Sequence, residues 1–204
     1  MPHDIRTADG LSLHVTRWVP PTAPRGTVVL VHGLGEHAGR YTHVAAALNA
    51  AGWRVLACDQ RGHGQSAGPR GGIAAPDSLL ADLSRVLDSA RAEQPGPLVL
   101  LGHSLGGLVA ARFAAESLAA SPAAWSRPLD ALVLSSPALD PGLNAVQKLL
   151  LAVVPALAPN LAVHNGLRPE WISRDPAVVQ AYGADPLVHD RISGLLGRFI
   201  ADAG

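Results

Sequence analysis

Short apolar runs alternate with amphipathic stretches along most of the chain. Four largely apolar runs predict strands buried on both faces, at residues 27–31, 53–58, 97–101 and 129–134. Apolar residues recur at helical spacing in three other stretches, residues 40–51, 77–93 and 105–120. Alternation of buried strands with helices predicts a parallel sheet that is covered by helices on both faces.

The pattern changes at both ends of this alternating region. Apolar and polar residues alternate within residues 11–19, which predicts a half-buried, antiparallel edge strand. Between Asp140 and Asp185 there are five prolines and no β run, and apolar residues within 143–154 lie at helical spacing. We expect a helical layer over the end of the sheet; whether it packs rigidly or moves as a cap stays open. Residues 190–201 predict one more helix.

Composition narrows the class of protein. Sixteen basic and sixteen acidic residues cancel in a chain of 204 residues, which disfavours a nucleic-acid binder. The single cysteine, Cys58, excludes an internal disulfide and a cysteine metal cluster, and no cofactor is expected. Residues 1–10 do not resemble a secretion signal. The most apolar stretch, 143–163, is interrupted by Lys148, Pro155 and Pro159. Its unbroken apolar part is therefore shorter than the roughly 20 residues that a membrane-spanning helix needs, and we expect a cytoplasmic protein.

One glycine-rich turn is the strongest chemical signal. Gly102-His103-Ser104-Leu105-Gly106-Gly107 follows a predicted strand and opens a predicted helix. A serine at such a turn is exposed above the carboxyl end of the sheet, where it can act as a nucleophile. The N–H of Leu105, at the helix start, is then free to bind a developing oxyanion. A tight turn with a bystander serine is the alternative, which the flanking strand and helix disfavour.

A second glycine-rich segment supplies a candidate partner for this turn. His32-Gly33-Leu34-Gly35-Glu36-His37 follows the first predicted buried strand. Glycines 33 and 35 allow the backbone to approach the serine turn, so the N–H of Leu34 is a second candidate oxyanion donor. Taken alone, the segment is also typical of a strand-to-helix turn without a catalytic task.

These residues resemble the α/β-hydrolase superfamily, in particular its monoglyceride lipase and lysophospholipase-like branch, which is also grouped with the S33-type serine aminopeptidases. The resemblance covers nearly the whole chain from about residue 10. The matching segments are 32–41 (HGLGEHAGRY), 59–66 (DQRGHGQS), 102–107 (GHSLGG), 173–176 (SRDP) and 185–189 (DPLVH). Six polar residues of these segments hold mainly structural positions in the family: Glu36, His37, Arg40, Asp59, Arg61 and His63.

The resemblance implies an α/β-hydrolase fold, an eight-stranded, mostly parallel sheet with helices on both faces and a helical cap inserted after the sixth strand. Residues 1–140 would be the hydrolase core, 141–188 the helical cap or lid, and 189–204 a return helix toward the rest of the core. It also implies a serine hydrolase that cleaves carboxylic esters, most of all monoacylglycerols or lysophospholipids. Ser104 would form the acyl-enzyme, with the backbone of Leu34 and Leu105 as oxyanion hole, and no metal or cofactor would take part.

A catalytic acid and base are not identifiable in the same way. In the family they follow the cap, and no residues here align with them. The chain offers Asp140 and His189 as substitutes. Asp140 before a proline is also typical of a turn or helix start, and His189 lies in a segment that matches the ordinary exit from the cap. We therefore expect that the last two strand–helix units are absent from this chain, about 60 residues at about 30 per unit.

Three classes of function stay open at this point. The first is an esterase acting on a small lipid ester, with the activity of the 204-residue chain by itself left open. The second is a non-catalytic hydrolase-fold protein that binds a ligand or partner. The third is an acyltransferase or peptidase that uses the same nucleophile. Peripheral membrane contact through the cap and the oligomeric state also stay open.

Overall fold

Five strands form the central sheet. The computed structural model describes residues 4–140 and 161–204, together with 142, 151, 153, 157 and 158. In chain order the strands up to residue 140 are β1 (Ile5–Arg6), β2 (Ser12–Leu13), β3 (Val15–Trp18), β4 (Thr27–Val31), β5 (Arg54–Cys58), β6 (Leu98–His103) and β7 (Ala131–Ser135). The sheet has the order β3-β5-β4-β6-β7, with β3 antiparallel to β5 and the other pairs parallel. β1 and β2 form a separate antiparallel pair. The parallel sheet with one antiparallel edge is confirmed.

Helices connect and cover these strands as the hydrophobic pattern predicts. Those described are α1 (Thr42–Ala50), α2 (Ser78–Glu93), α3 (Leu105–Glu116), α4 (Pro176–Ala184) and α5 (Gly194–Ala203). A 3-10 turn, Ala38–Tyr41, replaces the first residues of the first predicted helix. α3 ends four residues earlier than predicted, where the Glu116 carboxylate accepts a hydrogen bond from the Ala123 N–H at 2.9 Å. None of the described helices is long and apolar enough to cross a membrane.

Alternate residues of β4 enter two separate apolar clusters. Val28 and Leu30 lie in the cluster that also includes Ala45 of α1. Val29 and Val31 lie in the larger cluster, which includes apolar residues of α2, α3 and α5. Because successive side chains of a strand point to opposite faces, the strand is buried from both sides. This burial explains its unbroken apolar sequence and places its carboxyl end, Val31, directly before the second glycine-rich segment.

The prediction that residues 140–185 contain no strand is wrong. Ala162–His164 forms β8, which pairs antiparallel with β9 (Arg191–Ser193). The first residues of the helix predicted at 190–201 form β9 instead, and α5 begins at Gly194. Three-residue strands are too short to show a period, and their pairing depends on a partner far along the chain. The helical spacing at 143–154 and the start of the cap at 141 lie almost wholly outside the described residues.

Several strand boundaries differ from the prediction, and at two of them a side chain forms a hydrogen bond beside the strand end. The predicted strand at 11–19 is divided at His14, whose N–H donates to the Ser66 hydroxyl at 2.8 Å. The strand predicted at 129–134 begins at Ala131, since the Asp130 carboxylate accepts from the Leu98 N–H at 2.7 Å. β7 is the last strand of the described sheet, and all five of its residues are exposed.

Candidate active site

Ser104 stands on a strained turn between β6 and α3. Its φ of 53° and ψ of −119° place a non-glycine residue in a sparsely populated backbone region. Two backbone hydrogen bonds hold it there: the Ser104 N–H donates to the Ser135 carbonyl at 3.0 Å, and the Ala138 N–H donates to the Ser104 carbonyl at 3.0 Å. The last residue of β7 and the loop that follows it therefore hold the turn from both sides.

Glycines around the turn allow close backbone packing, as the motif predicts. A Cβ at Gly102 would collide with the Gly106 carbonyl oxygen, and a Cβ at Gly106 would collide with that of Val31. At Gly107, a Cβ would lie 2.8 Å from Cα of Pro137. The start of α3 thus packs directly against the ends of β4 and β6, with no room for side chains.

The loop after β4, residues 32–37 and here called the oxyanion loop, reaches the same point. A Cβ at Gly33 would lie 3.3 Å from Cβ of Ser104. Among the described residues, neither the Leu34 N–H nor the Leu105 N–H donates to a protein acceptor. Leu105 is the first residue of α3, where the helix leaves its N–H groups unpaired. Both predicted oxyanion donors are therefore free, and the Leu34 loop lies against the nucleophile turn.

Glu36 fixes the oxyanion loop from within. Its carboxylate accepts hydrogen bonds from the Gly33 N–H at 2.6 Å, the Tyr41 hydroxyl at 2.5 Å and Arg40 Nε at 3.0 Å. Burial by itself would raise the pKa of Glu36, but the His32 ring and the Tyr41 and Gly33 donors outweigh it and leave the pKa below its usual value. Burial and the adjacent carboxylate raise the pKa of the Tyr41 phenol. These contacts support the structural role expected for Glu36 and Arg40.

Residues far downstream hold the oxyanion loop from outside. The His189 N–H donates to the Gly35 carbonyl at 2.8 Å, and His37 Nε2 lies 2.9 Å from the Asp185 carboxylate. The guanidinium of Arg40 lies over the Tyr182 ring, 4.5 Å from its centroid. Burial alone would raise the pKa of Asp185, and the hydrogen bonds from His37 and from the Leu187 N–H outweigh it, so the pKa is lowered.

Three imidazoles cluster behind the oxyanion loop. The His63 ring lies 5.4 Å from the His32 ring and 4.6 Å from the His189 ring, measured between centroids. Burial lowers the pKa of all three histidines, with that of His63 well below its ordinary value. The described residues contain no group of three His, Cys, Asp or Glu side chains that could hold a metal ion. The cluster is a packed, uncharged layer beneath the loop.

Asp59 and Arg61 are buried by specific pairings. The Asp59 carboxylate accepts from the N–H groups of Ala38 and Gln65, both at 2.8 Å. Arg61 donates to Asp82 at 2.6 Å and 2.8 Å and to Asp9 at 2.8 Å and 3.1 Å. Four N–H groups of Arg61 and both carboxylate oxygens of Asp59 have structural partners, as is typical of a turn of satisfied polar groups.

The structure does not bring Asp140 or His189 to Ser104. The exposed Asp140 carboxylate accepts from the Gly142 N–H at 2.8 Å, and His189 Nδ1 accepts from the Arg191 N–H at 3.1 Å. His103 Nδ1 lies 3.0 Å from the Ser135 hydroxyl. Within the described residues, no hydrogen bond joins the Ser104 hydroxyl to a histidine. The described part of the site therefore holds a serine on a strained turn and two backbone N–H groups, those of Leu34 and Leu105, that have no protein acceptor there.

The serine stands on a strained turn between a parallel strand and a helix, above the carboxyl edge of a sheet that helices cover on both faces. This arrangement defines the class of α/β-hydrolases. The chain belongs to the family described as serine aminopeptidase, S33, whose model matches residues 22–204. It is similar to a monoacylglycerol lipase of Mycolicibacterium smegmatis, with 40% identity over 190 residues, covering 92% of this chain and 65% of the relative. Human monoglyceride lipase is 34% identical over 192 residues, covering 92% of this chain and 60% of that protein.

Solved structures agree with this assignment. The crystal structure of a Paleococcus ferrophilus monoacylglycerol lipase matches with a TM-score of 0.77 and 40% identity, covering 94% of this chain and 69% of that one. A soluble variant of a Saccharomyces cerevisiae monoglyceride lipase matches with a TM-score of 0.83 over the whole of this chain and 68% of that one; at 22% identity it supports the fold alone. The chain spans less than two thirds of the length of the two curated relatives.

Proposed function

We propose that the protein is a carboxylic-ester hydrolase that forms an acyl-enzyme on Ser104. The observation that carries the proposal is the strained Ser104, presented beside two backbone N–H groups that have no protein acceptor among the described residues. Attack of the hydroxyl oxygen on an ester carbonyl forms a bond to carbon and moves negative charge onto the carbonyl oxygen. The serine proton passes to the alcohol that leaves, carried by a base that the described residues do not place at Ser104. N–H groups of Leu34 and Leu105, together with the positive end of α3, would stabilise that charge.

The substrate class in this proposal is a monoacylglycerol or lysophospholipid. It is supported by the names of the relatives, which are lipases of monoacylglycerols at 34–40% identity. Collapse of the tetrahedral intermediate would release the alcohol, and water would then release the fatty acid from Ser104. The proposal assigns the nucleophile and the oxyanion donors. Asp140 and His189 are not part of it, because within the described residues neither side chain forms a hydrogen bond with Ser104.

We also propose that the protein meets its substrate at a lipid surface. Five large apolar residues of the cap region are exposed by 46–81%; together they form what we call the cap patch: Leu157, Leu161, Val163, Leu167 and Trp171. Arg168 lies over the Trp171 ring, 5.7 Å from its centroid, so that a cation accompanies the apolar ring. Exposed tryptophan beside arginine is typical of surfaces that enter the region between headgroups and acyl chains.

Covalent labelling tests the proposed nucleophile. The longest product of the gene and the 204-residue chain are each incubated with a fluorophosphonate, and the adduct is measured by intact mass, with Ser104→Ala as control. We expect one adduct per chain on Ser104 in the longest product, together with release of fatty acid from a monoacylglycerol. No adduct in either protein would support the non-catalytic alternative. Transfer of the acyl group to an added alcohol or amine, rather than to water, would support the acyltransferase.

A further inference from the structure

Two consecutive peptide groups, His32–Gly33 and Gly33–Leu34, precede the Leu34 donor, and the first is held at both ends. The Gln60 side-chain amide donates to the His32 carbonyl at 2.7 Å. On the opposite side of the same peptide group, the Gly33 N–H donates to the Glu36 carboxylate at 2.6 Å. No cis peptide bond occurs in the part of the chain that the structure describes, so the carbonyl and the N–H of each of these groups point in opposite directions. The plane of this first peptide group is therefore fixed.

The second peptide group is held at one end only. Its carbonyl, that of Gly33, lies 2.8 Å from Nδ1 of the His32 ring. Its N–H, that of Leu34, has no protein acceptor among the described residues. Because the two ends point in opposite directions, the bond to the carbonyl also determines where the Leu34 N–H points. The His32 ring is thus the group that aims this donor.

Neighbouring residues fix both the ring and its tautomer. The Gln60 backbone N–H donates to His32 Nε2 at 2.9 Å, so Nε2 is the acceptor and Nδ1 carries the hydrogen that the Gly33 carbonyl accepts. The ring is fully buried and packs against the His63 ring. Gly33 and Gly35 flank Leu34, and Gly35 has a φ of 77°. Glycines at these two positions resist rotation of the Gly33–Leu34 peptide group less than other residues would.

We propose that His32 is a positioning residue of the oxyanion hole: its Nδ1–H holds the Gly33 carbonyl and thereby turns the Leu34 N–H toward the oxygen of an ester bound at Ser104. The inference rests on the proposed function for its consequence in catalysis. Its geometric part, the Nδ1–H tautomer and the bond to the Gly33 carbonyl, stands without it.

Two substitutions separate this role from simple packing. In His32→Asn the side-chain amide nitrogen can occupy the place of Nδ1 and donate to the Gly33 carbonyl. In His32→Gln the amide can reach only the place of Nε2. Using the longest product of the gene, we expect His32→Gln to slow fluorophosphonate labelling of Ser104 at least about tenfold, since loss of an oxyanion donor typically costs about 100-fold to 1000-fold. His32→Asn should stay within about threefold of the wild type.

Long-range nitrogen–proton NMR of the wild-type histidines supplies a second, independent readout. We expect the His32 Nδ1–H tautomer. The inference is overturned by an Nε2–H tautomer, by unchanged labelling in His32→Gln, or by equal slowing in both variants with unchanged urea midpoints. Unlabelled Ser104 in the wild type overturns the proposed function instead, and the tautomer then decides the geometric part alone.

Discussion

Gly106 has no Cβ, which allows the turn that carries Ser104 to pack against the end of β4. At Gly106 an added Cβ would meet the backbone carbonyls of Val31 and His32, which cannot move without shifting the end of β4. We expect Gly106→Ala to lower the free energy of unfolding by about 3 kcal/mol, the upper end of the usual cost of overpacking. The change is measured by urea denaturation followed by far-UV circular dichroism.

Gly183 provides the matched control for this substitution. It lies in α4, and a Cβ there would meet no atom within 4 Å. Gly183→Ala should leave stability unchanged or raise it by up to about 1 kcal/mol, because alanine is the better helix former. If both variants unfolded at the wild-type midpoint, the close contact between α3 and β4 would be contradicted.

Local spacing was sufficient to predict the turn between β6 and α3 on which Ser104 stands. The glycine turn around Ser104 and the free N–H of Leu105 follow from a strand, a tight turn and a helix in direct succession. The role of His32 follows from a different kind of contact. It depends on Gln60, which is 28 positions away and reaches His32 only because β4 and β5 are neighbours in the sheet. Such contacts between two loops leave no periodic signal in the sequence.

At the scale of elements, the cap patch is a set of exposed apolar side chains in the cap region. Leu167 belongs to the cap patch. Leu118 follows the end of α3, and because α3 runs from the edge of the sheet that carries Ser104 toward the opposite edge, Leu118 lies near that opposite edge. We expect Leu167→Ser to weaken binding to phosphatidylcholine vesicles about fivefold, as loss of about 1 kcal/mol of apolar burial implies. Binding is measured by co-sedimentation.

Leu118→Ser makes the same chemical change at a leucine that is 87% exposed. It should leave vesicle binding within about twofold of the wild type, since it removes an apolar side chain far from the patch. Equal losses in the two variants, or no binding by the wild type, would argue against a lipid-facing cap.

The sequence predicts whether a segment is a strand or a helix where its apolar pattern is long. It does not predict the short strands that form only by pairing with each other. α2 shows five apolar positions at helical spacing and begins within one residue of its predicted start. β8 and β9 contain three residues each and depend on pairing across more than 25 intervening residues. Their strand character comes from that tertiary pairing.

At the scale of the whole molecule, the buried imidazoles tie stability to pH. His32, His63 and His189 have ordinary pKa values of 6.5, which burial lowers in the folded chain. The Arg70 charge lowers the pKa of His63 and of His189 further. Carboxylates act in the opposite direction: Glu36 and Asp59 raise the pKa of His32, and Asp190 raises that of His189. Well above pH 6.5 these imidazoles are neutral in both the folded and the unfolded chain. As pH falls through that value, the unfolded chain binds protons at them before the folded chain does, so stability is lost.

We expect the free energy of unfolding to decrease steadily between pH 6.5 and 5.5, with His63 alone contributing up to about 1.4 kcal/mol per pH unit. Urea midpoints at half-unit steps from pH 8 to about 5.5 measure this dependence while carboxylates remain ionised. His63→Gln should reduce the slope. His43→Gln removes an exposed histidine and should leave it unchanged; a flat profile in the wild type would contradict the assignment.

The contacts that hold the oxyanion loop from outside also set an order of events during synthesis. His37 and Asp185 are 148 positions apart, and His189 reaches Gly35 over a similar span. At about 5–20 residues per second, a ribosome needs about 7–30 s to pass from the first to the second. Ser104 and its turn are made well inside that interval. Ser104 therefore leaves the ribosome before Asp185 and His189 can restrain the oxyanion loop.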